Sequence, residues 1–379
     1  MTNINENSSK TLSDVVIVGG GVIGCAIAYF LSKQQMTVTI LEQGEIGSQA
    51  SGAAAGLLAP LGPLSGPGPL ADLVLAAFAT FPSLIAELEE ATGLHLGYKK
   101  TGALRTVSNP RRIAHLRKRW EKWQALGLRL YWLTGEEARH QEPSLSANIA
   151  AAVYAPEEAQ VDAKQVTQAF AEAARKLGAQ ILPHHEAIGC ETRGKRVLSV
   201  QSRQGQTFGC QTLVLAPGAW TQDACAWFDT SLPITPLHGQ LLALPQPDCP
   251  LRSLLFGEGI YLVPREDRIL VGATKEERGF DLEADAQGTA WLLETAQRLV
   301  PQLFNSQPSL VWTGLRPRTP DTRPLFGFLP GWQNVALASG HNSIGIILSG
   351  ITGQTMAELL MTGQLPPLAQ PFSVDRFQT

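Results

Sequence analysis

VVIVGGGVIGCAIAYFL, from Val15 to Leu31, reads as a strand, a glycine turn and the start of a helix in immediate succession. Gly19, Gly21 and Gly24 fit G-x-G-x-x-G: the first glycine permits the tight turn, the second lets backbone reach a pyrophosphate, and the third lets helix and strand pack closely. The helix then presents unpaired N–H groups and the positive end of its dipole to the anion. A second apolar strand, Thr37 to Leu41, ends at Glu42, 18 residues beyond Gly24, where such units keep a carboxylate for a ribose hydroxyl. These residues leave open whether the dinucleotide carries a flavin or a nicotinamide. As 17 residues without charge, the run also sits at the lower length limit for a membrane span, but its clustered glycines argue against one.

A chain of 379 residues, 44% hydrophobic and 17% charged, can bury a large core and is expected to divide into two structural units. A formal charge of −3 gives no electrostatic case for nucleic acid or a membrane surface, which select clustered basic charge. MTNINENSSKTLSD at the start is polar and lacks the basic-then-apolar order of a signal peptide, so a cytoplasmic location is expected. Cys25, Cys190, Cys210, Cys225 and Cys249 are well separated, odd in number and without C-x-x-C, so neither a disulfide framework nor a metal site is expected. His184 and His185 read as a surface loop.

No internal repeat is evident. Leu57 to Leu70 is rich in Pro and Gly and is expected to hold little regular structure, with a helix following from Ala71 to Glu90. Asn109 as N-cap, Pro110 in the first turn, and Ile113, Leu116, Trp120 and Trp123 at helical spacing signal another helix. Its other face carries Arg111, Arg112, Arg117, Lys118, Arg119 and Lys122, read as solvated charge rather than a docking face. Asp162 opens a helix over Ala163 to Leu177, ended by Gly178, and short strands follow up to a glycine turn at Gly218. GIYLVPREDRILVGAT reads as a hairpin. NVALASG is a last strand, followed by a C-terminal helix to about Met361. The pattern is an α/β doubly wound sheet interrupted twice by a mainly antiparallel unit.

Seven stretches in order carry a family resemblance: GGGVIG with Glu42; ASGAAAGLLAP; QVDA with LVLAPGAW; PLHGQ; IYLVPR with VGATKEERGFD; GLRPRTPDTRPLFG; and GHNSIGIILSGITG. Together they resemble the D-amino-acid oxidase superfamily of flavoproteins, in its glycine oxidase (ThiO) branch, along nearly the whole chain. The resemblance implies FAD rather than a nicotinamide. It implies a Rossmann-like FAD-binding domain over residues 14–95, 150–232 and 333–379, interrupted by an α+β substrate domain over 96–149 and 233–332.

Carried over by motif, the resemblance puts the ADP half of FAD on Gly19, Gly21, Gly24 and Glu42, with Ala187 at the adenine side. Ser51, Ala53, Ala55 and Gly56 would line the pyrophosphate and flavin, and Gly218 and Trp220 would close the second crossing. Gly340, His341, Gly345, Ile346 and Ile347 match the C-terminal loop that meets the pyrimidine end of the ring, where N–H donors stabilise developing negative charge. Arg316 stands where the family keeps the guanidinium for the substrate carboxylate, and Tyr261 where a phenol assists it. A planar, permanently charged fork suits a carboxylate and fixes the α-carbon. The competing readings are an ion pair of Arg316 with Asp321 or Glu276, and Tyr261 as a strand aromatic.

The sequence departs from the branch in three places. Ser343 stands where the C-terminal loop usually has an Arg, His238 where Arg or Lys is commoner, and the loop after Ala59 lacks the usual acid. These departures point to a less polar pocket, with sarcosine, proline or a small D-amino acid preferred over glycine. The tethering Cys of monomeric sarcosine oxidases is missing near Arg316, so FAD is expected to be noncovalent. The implied activity is oxidation of glycine or a small secondary or D-amino acid to the imine, with O2 reduced to H2O2, and a place in thiamine (thiazole) biosynthesis. A dehydrogenase serving a quinone or carrier, and a noncatalytic flavin-binding subunit, are the rivals. The expected partners are an amino-acid substrate and O2, with no nucleic acid and no membrane span; homo-oligomerisation stays open.

Overall fold

Val15 to Val18 are apolar without alternation because both faces of their strand are covered. Val15 and Ile17 pack among the helices on one side of the sheet, and Val16 and Val18 pack in a second apolar cluster on the other. The computed structural model describes residues 11–377. Strand β1 (Thr11–Val18) leads through the glycine turn into helix α1 (Val22–Lys33), and strand β2 (Val38–Leu41) returns parallel to β1, with Val15 opposite Val38. On the far side of β1 lies the parallel strand Thr207–Leu215, which also pairs with Val335–Ser339. Gln180–Leu182 extends the sheet beyond β2. Two antiparallel additions complete it: the hairpin Ala187–Arg193 with Arg196–Ser202, and Leu325–Phe328 beside Val335–Ser339.

The second sheet has eight strands, all paired antiparallel except Leu254–Gly257 against Ala103–Val107. At one edge Leu310–Arg318 runs against Thr235–Pro245 along nine residue pairs, Arg316 facing Leu237. The expected hairpin is Ile260–Pro264 with Arg268–Gly272. Sheet membership is offset from the sequence-based division at both ends. Ala151–Ala155 belongs to the second sheet although it lies beyond residue 150, and Leu325–Phe328 belongs to the first although it precedes 333. A short alternating strand looks alike in either sheet, so local pattern does not place it. A third sheet of two-residue strands, Leu57–Leu58, Ala159–Gln160 and Lys99–Lys100, ties the crossings together.

Helix α2 (Ala50–Ala53) is one turn. Helix α3 (Pro69–Thr92) is apolar and long enough to cross a membrane. Leu73, Val74, Ala77, Phe81, Ile85 and Leu88 of α3 are nonetheless buried in the core shared with α1 and with helices Ala163–Lys176 and Gly345–Thr362. Helix α4 (Ile113–Gln124) follows the Asn109 cap, whose Oδ1 accepts from the Arg111 N–H at 2.9 Å. Likewise Asp162 accepts from the Gln165 N–H at 3.0 Å to start Ala163–Lys176.

Candidate functional site

The glycine turn is shaped by close backbone approach. Gly19 has φ +110°, and a Cβ there would lie 2.3 Å from the Ala216 carbonyl oxygen; one at Gly24 would lie 1.9 Å from the Gly19 oxygen. Glu42 is buried at the end of β2, where Oε2 accepts from the Gly20 N–H at 2.6 Å and Oε1 from the Gly44 N–H at 2.9 Å. The N-cap of α1, Gly21, supplies no side-chain cap, and the Val22 N–H donates to Ser51 Oγ at 2.9 Å. A helix start whose N-cap is a glycine, beside a strand-end carboxylate, is the donor and acceptor set that a pyrophosphate and a ribose need, so these residues fit a flavin dinucleotide.

A cavity of about 1070 Å³ opens from this helix start and is lined by both sheets' elements. Gly21, Ser51, Ala53, Ala55 and Gly56 contribute to its wall. That wall is fixed from the second sheet: Trp312 Nε1 donates to the Ala53 oxygen at 3.0 Å, and Arg265 Nη2 donates to the oxygens of Ala55 and Val161 at 2.9 and 2.7 Å. Gly218, His341, Gly345, Ile346 and Ile347 line another side. Helix Gly345–Thr362 begins there with no side-chain cap and no acid in its first turn, leaving its N-terminus suited to negative charge. His341 is buried with Nε2 3.0 Å from Thr352 Oγ1, and burial pushes its imidazole down to about 3.

Six of the residues expected from the sequence do not line this cavity: Gly19, Gly24, Glu42, Ala187, Trp220 and Gly340. Gly19, Gly24 and Glu42 shape the turn behind it. Gly340 passes close to Thr319, whose Cγ2 would be 2.7 Å from an added Cβ. Trp220 instead packs on Phe280, with ring centroids 5.6 Å apart, and Ala187 starts an edge strand opposite Ser202.

Arg316 and Tyr261 line the same cavity. Arg316 Nη1 donates to the Thr274 carbonyl at 3.2 Å, and the guanidinium meets no carboxylate among the described residues. Its two candidate partners are engaged elsewhere: Asp321 with Arg376 at 3.0 Å, and Glu276 3.7 Å from Arg278. Burial raises the pKa of the Tyr261 phenol above its usual value, an effect the neighbouring Arg316 partly opposes. Two glycines make room for this pair. A Cβ on Gly239 would lie 2.2 Å from Arg316 Nη1, and one on Gly272 would lie 2.5 Å from the Tyr261 hydroxyl. Sequence reasoning missed both, although glycine inside a strand signals close approach of another group.

The structure bears on three readings of the pocket. His238 is fully buried with neither ring nitrogen hydrogen-bonded among the described residues, and it is not part of the cavity wall; its neighbours Leu237 and Gly239 are. The face of α4 read as solvated is mostly so: Arg111, Arg112, Arg117, Lys118 and Lys122 are exposed, and Arg119 is half-buried. Arg117 stacks on Trp132 with Cζ 4.1 Å from the ring centroid, whereas Arg112, His115 and Arg119 line the cavity. Arg105, Lys275 and Arg318 are also in its walls, together with Glu258 and Glu277, so the cavity carries charge of both signs. Ser343 lines it as an exposed residue. Helical spacing showed that these cations share a face, but only the packing of Leu116 and Trp123 decides where that face points.

Comparison with known proteins places this geometry in a family. The model of the FAD dependent oxidoreductase (DAO) family matches residues 14–359. Glycine oxidase of Geobacillus kaustophilus is 35% identical over 366 residues, covering 96% of this chain and 97% of that protein. Its crystal structure superposes with a TM-score of 0.93 at 34% identity, covering 97% of this chain and all of the other. The bifunctional protein ThiO/ThiG of Synechocystis is 35% identical over 378 residues; the match takes in 98% of this chain but 55% of that relative, about half its length. A strand-end carboxylate, a helix start with glycine at its N-cap and a family match over residues 14–359 agree on one conclusion: the chain belongs to the DAO family of FAD-dependent oxidoreductases, and FAD is its cofactor.

Proposed function

We propose that this protein is an amino-acid oxidase of the glycine oxidase type, acting on glycine or a small secondary or D-amino acid. The observation that carries this reading is Arg316: a guanidinium without a carboxylate partner, held by the Thr274 oxygen at 3.2 Å and set beside Tyr261 in the cavity that the FAD-binding elements share. Such a fork takes an α-carboxylate bidentately and so fixes the position of the α-carbon. Tyr261 offers a hydroxyl to the same carboxylate, and burial raises its pKa above the ordinary phenol value. The N-terminus of helix Gly345–Thr362 and the backbone near His341, in the same cavity, are suited to stabilise negative charge. FAD supplies the electron acceptor when bound.

The overall conversion is amino acid, O2 and water to 2-oxo acid, ammonia or amine, and H2O2. A place in thiamine (thiazole) biosynthesis is supported by the ThiO/ThiG relatives. FAD is held noncovalently, since none of the five cysteines lines the cavity. Peroxide release by the purified protein against glycine, sarcosine, L- and D-proline and D-alanine is the direct test. Release with at least one of them is expected, and reduction of the flavin by substrate without oxygen uptake would instead indicate a dehydrogenase.

A further inference from the structure

Beyond Gly272 the chain continues alongside strand Thr235–Pro245 and brings a lysine next to Arg316. Glu276 and His238 exchange backbone hydrogen bonds, 3.0 Å in each direction, and the Thr274 N–H donates to the Gln240 oxygen at 3.2 Å. Between these two antiparallel links Lys275 stands opposite Gly239, and residues opposed in an antiparallel pair turn their side chains to the same face. That face is the cavity: Gly239, Lys275 and Glu277 line it, whereas His238 and Gln240 do not.

The guanidinium of Arg316 reaches the same spot from the strand on the other side. It lies over Gly239, with Nη1 and Nη2 2.2 and 2.4 Å from an ideal Cβ there, and Nη1 goes on to donate to the oxygen of Thr274, the residue just before Lys275. The Cβ atoms of directly opposed residues are about 4.5–5.5 Å apart, so the Lys275 side chain leaves its strand beside the fork. Its flexible four-carbon stem lets the ammonium reach an anion held there. The nearby acids are already engaged: Glu277 holds Arg318 at 2.7 Å, and Glu276 lies 3.7 Å from Arg278. Neither Lys275 nor Arg316 meets a carboxylate among the described residues. On the far side of Arg316 the Asn342 N–H donates to the Pro317 oxygen at 2.9 Å, and the next residue, Ser343, lines the cavity without a charge. Two neighbouring cations with no anion repel each other, and a carboxylate placed between them turns that repulsion into attraction to both.

We propose that Lys275 is a second cation for the substrate α-carboxylate, a point charge beside the planar fork of Arg316. The proposal rests on the reading that Arg316 holds that carboxylate. A contact to a group that does not react is made equally in the ground and transition states, so Lys275 sets KM rather than kcat. Every amino acid carries this group, so the contact selects a free carboxylate over its amide and is indifferent to the side chain.

Methoxyacetate, a carboxylate without an amine, and methoxyacetamide, its neutral amide, are titrated into the holoenzyme and read by the flavin absorption spectrum. Methoxyacetate should bind the more tightly, and Lys275→Met should weaken it about three- to tenfold while leaving methoxyacetamide within about twofold. Lys275→Arg should keep most of the affinity, and Lys275→Glu should lose more than Lys275→Met. In turnover of glycine, sarcosine, proline or D-alanine, Lys275→Met should raise KM by the same factor with kcat within about twofold and FAD content and Tm unchanged. Unchanged methoxyacetate affinity in Lys275→Met and Lys275→Glu overturns the proposal, as does a fall in kcat at unchanged KM, which would put Lys275 in the chemical step. Methoxyacetate binding untouched by Arg316→Ala overturns both this proposal and the anchor on which it rests. Binding that depends on both cations, in a protein that turns over none of these amines, would retain the paired site and remove the oxidase reading.

Discussion

The guanidinium of Arg316 lies in the space that a side chain at Gly239 would occupy, Nη1 coming within 2.2 Å of an ideal Cβ there. The two residues sit on adjacent antiparallel strands, with Gly239 opposite Gly314 and Arg316 opposite Leu237, so one strand's missing side chain sets the other's rotamer.

Gly239→Ala should therefore act through Arg316. A methyl group would push the fork off its position, and misplacement by about 1 Å can cost on the order of 10²-fold in rate. Steady-state kinetics should show kcat/KM falling on that scale with FAD content unchanged. Unaltered kinetics would mean that the guanidinium position is not critical.

Arg265 should control the stability of the cofactor wall. Its Nη2 holds the carbonyls of Ala55 and Val161 at 2.9 and 2.7 Å. Arg265→Met leaves both without that donor, a loss of about 1.5–3 kcal/mol for hydrogen bonds from a charged group. A lower Tm and weaker FAD retention on dilution should follow; equal retention in the two proteins would place the effect elsewhere.

The fold was largely legible because its signals are local. Val15 to Leu31 announces a strand, turn and helix through residue types alone, and Asn109 and Asp162 mark helix starts by their capping side chains. Where tertiary packing decides, the sequence was silent. Ala151–Ala155 and Leu325–Phe328 carry nothing that assigns them to a sheet, the charged face of α4 needed the burial of Leu116 and Trp123 to orient it, and His238 turned out to face away from the cavity wall formed by Leu237 and Gly239. Arg316 was found through its motif, while its lack of a carboxylate partner emerged only from the ion pairs of Asp321 and Glu276.

His341 should make stability depend on pH. Its pKa is depressed from 6.5 to about 3 by burial, so the unfolded chain takes up the proton first, and stability is full above pH 6.5 and falls as pH drops through that window. The slope is about 1.4 kcal/mol per pH unit. Urea unfolding at pH 7 and pH 5 should show the unsubstituted protein losing about 2 kcal/mol more than His341→Gln, which does not titrate. Parallel losses in the two proteins would show that His341 is not buried neutral.

Noncovalent attachment of FAD has a simple readout. Acid precipitation of the yellow protein should leave all the flavin in the supernatant as FAD, since no cysteine reaches the cavity. Colour retained by the pellet would contradict this.

The carboxylate anchor is the centre of the account, and the kinetics of Arg316→Ala and Arg316→Lys test it most directly. Removing one partner of a buried charge pair costs ~3–5 kcal/mol, or roughly two to four decades in kcat/KM. The account predicts that loss in both variants with FAD content and fold intact. Near-normal turnover of amino acids by Arg316→Ala would contradict it and place the anchor on another residue.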